Sequence, residues 1–75
     1  MLCHAVPLLK KARAKHFAVP AFNINNLEIL KSVMRAAIEL KSPVFVQTSE
    51  GAIEYAGMDY LIAMVRIAAK APIPV

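Results

Sequence analysis

The fold turns on FAVPAFNINNLEILKSVMRAAIELKSPVFVQT, residues 17–48, where two apolar runs flank a segment with helical periodicity. Residues 17–22 are almost continuously apolar, the pattern of a strand covered on both faces as in a parallel sheet. Pro20 is the awkward member, because proline cannot donate to a sheet ladder. Asn25 can cap a helix, and Glu28, three residues later, can reach back to it as in a capping box. From there to about Leu40, the residues Leu27, Leu30, Met34, Ala37 and Ile38 recur at helical spacing, while Lys31, Arg35 and Glu39 fall on the other side. Ser42-Pro43 stops the helix, since the residue before a proline is pushed out of the helical region. Residues 44–48, rich in β-branched side chains, follow as a second strand.

Outward from this unit the same logic extends in both directions. Residues 6–15 form a short helix, with Pro7 tolerated in the first turn and Leu8, Leu9 and Ala12 opposite the basic side chains. It ends near His16. On the other side, Ser49-Glu50-Gly51 turns the chain, residues 52–55 make a helical turn and Gly57 breaks it. A third helix over residues 59–70 presents Leu61, Met64, Val65 and Ala68 to the core. Pro72-Ile73-Pro74-Val75 leads into a third strand. Helices alternating with buried-type strands across short connections predict an α/β fold with a parallel sheet and right-handed crossovers. A complete (β/α)8 TIM barrel takes about 250 residues, so the chain could supply about two of its eight units, and the expected layout is a partial barrel: the first two β/α units, a leading helix and the start of a third strand, as a single incomplete domain.

Composition limits the function. Of the 75 residues, 59% are hydrophobic, above the roughly 45–50% of ordinary domains, so more apolar surface is present than a body of this size can hide. Cys3 is the single cysteine, which excludes an internal disulfide and a cysteine-based metal site and fits a reducing compartment. Lys31, Arg35, Glu39, Lys41, Glu50, Glu54, Asp59 and Arg66 interrupt every stretch that would need about 20 apolar residues to cross a membrane. The formal charge of +4 is concentrated in Lys10, Lys11, Arg13 and Lys15, with no acidic residue before Glu28. No aromatic side chain interleaves with these cations, so they read as a solvated helix face, and neither a nucleic-acid nor a membrane partner is expected.

In a parallel α/β layout the chemistry sits at the carboxyl ends of the strands. Asn23 and Ser49 begin those loops and could offer an amide and a hydroxyl to a polar substrate. Each also has a structural use, Asn23 in shaping a turn and Ser49 in capping the short helix after it. His4 and His16 lack a carboxylate or cysteine at ligand spacing, and His16 precedes the first strand, at the end opposite the chemistry. Glu50, Glu54 and Asp59 have no matching partner for acid–base work.

Two motifs carry a resemblance. Ala18-Val19-Pro20-Ala21-Phe22-Asn23-Ile24-Asn25-Asn26-Leu27-Glu28 is similar to the first strand and loop of class II fructose-bisphosphate aldolases. Ser42-Pro43-Val44-Phe45-Val46-Gln47-Thr48-Ser49-Glu50-Gly51-Ala52, followed by Tyr55-Ala56-Gly57, resembles their second strand and serine loop. The resemblance covers the chain from about Leu8 onward, and Pro20 is common at that point of the family.

The resemblance implies an eightfold barrel that reversibly cleaves fructose 1,6-bisphosphate to dihydroxyacetone phosphate and glyceraldehyde 3-phosphate. A zinc ion held by histidines polarises the ketone, and an aspartate moves protons. It further implies that Asn23 hydrogen-bonds the substrate and that Ser49 contacts the bound ketose phosphate. The acid–base aspartate and the zinc-binding histidines are expected beyond Val75, so no catalytic or metal residue is assigned here and the isolated chain is expected to be inactive. A cytoplasmic enzyme assembling as a dimer or tetramer is expected. Two other readings stand beside it: a tagatose-bisphosphate aldolase, and a self-associating β-α binding module without catalysis.

Overall fold

The computed structural model describes residues 1–75. The element order is α1 (Ala5–Lys15), β1 (Ala21–Asn23), α2 (Leu27–Glu39), β2 (Phe45–Gln47), α3 (Glu50–Ala56) and α4 (Met58–Ala68). The two strands pair in parallel with Ala21 opposite Phe45, Phe22 opposite Val46 and Asn23 opposite Gln47. The α/β class and the parallel pairing follow the reading of residues 17–48.

The first strand is shorter and shifted relative to the expected 17–22, and Pro20 shows why. Its carbonyl accepts the Phe45 N–H at 2.8 Å, so it begins the pairing from a position where its missing N–H is not required. The expectation that this strand is covered on both faces is also corrected, since every residue of β1 is exposed. Side chains alternate along a strand, which puts Phe22 and Val46 on one face and Ala21, Asn23, Phe45 and Gln47 on the other. Val46 packs against the helical core, and Phe45 on the other face is half-buried.

That core is formed by Ile24, Leu30, Met34, Ala37, Val44, Leu61, Ile73 and Val75. Helix α2 supplies three of these, Leu30, Met34 and Ala37, from one stripe, whereas Leu27 and Ile38, expected on the same stripe, lie at its margins and are exposed. Its start is corrected by one residue. Asn26 rather than Asn25 is the cap, its side chain accepting the Ile29 N–H at 2.8 Å. This puts Glu28 too early in the first turn for a capping box, although a carboxylate there still suits the helix dipole. Its end is a Schellman motif: Ser42 N–H donates to Ala37 O at 2.9 Å and Lys41 N–H to Ile38 O at 3.1 Å, with Lys41 left-handed at φ 51°. Helix α1 ends at His16, also left-handed at φ 59°. Of the stripe expected on α1, Ala12 is buried but Leu9 is 49% exposed.

The turn expected over residues 52–55 is a seven-residue helix, α3, and Gly57 at φ 91° separates it from α4. The segment expected to begin a third strand bends instead. Pro72 and Pro74 remove two of its four N–H donors, and its backbone bond on the side of the sheet is made just before β2, from Val44 N–H to Pro74 O at 3.1 Å. Val75 is held from its other side by residues 1–3: its N–H donates to Met1 O at 2.9 Å and its carbonyl accepts the Cys3 N–H at 3.2 Å. The surplus of apolar surface is evident in Leu2, Leu40 and Ile67, each more than half exposed.

Candidate functional site

Asn23 is the last residue of β1, and Ser49 follows the end of β2 by two residues. The parallel register places both at the carboxyl end of the sheet. There they line one depression of about 410 Å³, together with Asn25, Gly51 and Tyr55, over the buried side chain of Ile24. The two residues singled out from the sequence, 26 positions apart in the chain, thus share one surface.

Ser49 has the structural use anticipated for it. Its Oγ accepts the Ala52 N–H at 3.1 Å and so caps α3. A hydroxyl that accepts retains its own proton, which leaves Ser49 free to donate to a ligand. Asn23 is not merely a turn residue, because its Oδ1 accepts a hydrogen bond from Gln47 Nε2. Its own amide protons remain available. The depression therefore offers hydrogen-bond donors and suits an acceptor-rich molecule carrying hydroxyl or carbonyl oxygens.

No charged side chain lines the depression. Glu50 beside it is exposed, so the residues here can hold the neutral part of a polar ligand but supply no cation for a phosphate. A second concavity, of about 340 Å³, runs between Phe22, Val33, Ala36 and Leu40. It is apolar, and its Ser32 and Ser42 hydroxyls bond to Glu28 O and Pro43 O. The polar depression is therefore the better candidate for a sugar-like molecule.

No group of three His, Cys, Asp or Glu side chains converges to hold a metal ion. His4 and His16 bound the two ends of α1, and His16 lies before β1, at the opposite end of the sheet from Asn23. Gln47 is the residue that the sequence reading passed over. Its signal was present: a polar side chain at the end of an otherwise apolar strand, on the same alternation phase as Phe45.

A profile of the family described as "Fructose-bisphosphate aldolase class-II" matches residues 4–75. A fructose-bisphosphate aldolase of Thermus caldophilus is 43% identical over 75 residues, covering 100% of this chain and 25% of that protein. One from Giardia intestinalis is 45% identical over 60 residues, 80% of this chain and 19% of the relative. A plasmid-borne fructose-bisphosphate aldolase of Cupriavidus necator is 51% identical over 63 residues, 84% of this chain and 18% of the relative. The chain spans about a quarter of the length of these relatives or less.

Proposed function

The chain belongs to the class II fructose-bisphosphate aldolase family, and from that premise we propose that its 75 residues are the part of an aldolase that grips the uncharged portion of a ketose bisphosphate. The reaction is the reversible cleavage of fructose 1,6-bisphosphate to dihydroxyacetone phosphate and glyceraldehyde 3-phosphate. Asn23 and Ser49 are the substrate-binding residues, donating hydrogen bonds from the amide and the hydroxyl. The observation that carries this reading is their meeting in one uncharged, donor-rich depression at the carboxyl end of the parallel strands.

The two strand–helix units are read as adjacent staves of a (β/α)8 barrel. Two strands of eight in 25% of the length of the Thermus caldophilus relative agree with that proportion. Zinc, when bound, would polarise the substrate ketone. The residues present do not fit it, because no three of the His, Cys, Asp and Glu side chains come together to hold a metal ion. On the family reading, the zinc ligands and the acid–base aspartate belong to parts of the enzyme outside residues 1–75. Fructose rather than tagatose bisphosphate is preferred, since the similar relatives are named fructose-bisphosphate aldolases. A cytoplasmic dimer or tetramer belongs to the same reading, and no helix is long and apolar enough to cross a membrane.

Titration of the isotopically labelled chain with dihydroxyacetone phosphate, followed by nuclear magnetic resonance, tests the assignment. A few hydrogen bonds contribute about 1 kcal/mol each, so binding no tighter than about 1 mM is expected. Shifts should concentrate at Asn23, Ile24, Ser49 and Gly51. Shifts confined to the apolar concavity at Phe22 and Leu40, or none at saturating ligand, would refute it.

A further inference from the structure

Gln47 stands opposite Asn23 in the parallel register and on the same face of the sheet. Its amide hydrogens have a partner there: Nε2 donates to Asn23 Oδ1. The consequence lies at the other end of Asn23. A primary amide presents an acceptor on one side and two donors on the other, so holding Oδ1 decides which of them meets the ligand. With Oδ1 engaged by Gln47, the Asn23 Nδ2 protons are left for the depression.

We propose that Gln47 is a positioning residue: by donating to Asn23 Oδ1 it fixes the orientation of the Asn23 amide, so that the depression donates to oxygen-rich ligands. Its effect on binding rests on the substrate-holding role assigned to Asn23, whereas the orientation of the amide does not. Selectivity follows from donor count. Asn23 Nδ2 and Ser49 Oγ both donate toward the ligand, so ketose and triose oxygens are matched at these two positions, while a donor group placed against Asn23 meets no acceptor there. A free Asn23 would sample both orientations and would lose this bias.

Two variants separate the parts. Gln47→Glu keeps the shape but has no hydrogen to donate; its carboxylate accepts from Asn23 Nδ2 and draws the donors away from the depression. Gln47→Met keeps the length and removes every polar atom. Both changes are at an exposed position, so the fold is retained. In the ligand-free chain the Asn23 side-chain amide proton signals should move downfield in Gln47→Glu, as expected for donors to a carboxylate, and should shift toward a freely rotating amide in Gln47→Met.

Titration with dihydroxyacetone phosphate should then show affinity lowered about tenfold in Gln47→Glu, the equivalent of about 1.4 kcal/mol, and less in Gln47→Met. Asn23 amide signals unchanged in both variants overturn the inference. So does an amide that reorients in Gln47→Glu with wild-type affinity. If the wild-type chain fails to bind at all, it is the substrate-binding role of the depression that falls, and the Asn23 signals still decide the pairing.

Discussion

Replacing Ser49 separates its two uses, because alanine and glycine differ as helix caps but equally lack a hydroxyl. The Ser49 Oγ accepts the Ala52 N–H at 3.1 Å at the start of α3. Losing it to alanine costs about 1 kcal/mol, whereas glycine at the same position costs only a few tenths, because the exposed backbone lets water serve the freed N–H. For a domain of this size about 1 kcal/mol lowers the melting temperature by roughly 4–8 °C. Far-ultraviolet circular dichroism should therefore show Ser49→Ala melting several degrees below the parent and Ser49→Gly close to it. The hydroxyl as ligand donor behaves differently. Both variants lose one hydrogen bond of about 1 kcal/mol, so affinity for dihydroxyacetone phosphate should fall about fivefold in each. The reasoning is refuted if Ser49→Gly melts below Ser49→Ala, or if either variant binds as tightly as the parent.

Four other outcomes are expected. Gly57→Ala should destabilise by about 1–3 kcal/mol in urea unfolding, because Gly57 sits at φ 91° and a Cβ there would stand 3.3 Å from Tyr60 Cδ2. Lys41→Gly should stabilise by about 1 kcal/mol in the same assay, since it relieves a left-handed residue at φ 51° in the Schellman motif that ends α2. Leu30→Ala, at a site only 3% exposed, should cost about 2–5 kcal/mol. At roughly 0.05–0.15 kcal/mol per residue that is a large share of the total, so loss of the cooperative melt is the expected readout. The 75-residue chain with added zinc should show no retro-aldol turnover in a coupled assay, since no ligand set for the metal is assembled.

Particular residues show how far the sequence could be read. The α2 stripe was legible because Leu30, Met34 and Ala37 repeat at the helical period, and burial of that stripe is what holds the element in place. The alternation of strand and helix carried the α/β class. The cap of α2 was misassigned by one residue, as both Asn25 and Asn26 are competent and only the path of the chain leaving β1 selects between them. The double coverage expected of β1 is not met within these 75 residues, for a different reason. An apolar run records what a segment can tolerate, whereas coverage depends on which other elements lie against it.

The chain by itself determined the order of elements, their hydrophobic faces and the family motifs, because those follow from local geometry and from the spacing of side-chain types. It also marked Asn23 and Ser49 as strand-end candidates. Only the tertiary structure decided that they share one depression, that Ser49 Oγ is already engaged with Ala52, and that Gln47 holds Asn23. The physical reason is register. Sliding β2 by one residue along β1 would turn Gln47 to the opposite face, and that register is set by the joint fit of Val44, Val46 and the helices packed on them, a property of the assembled core rather than of either strand.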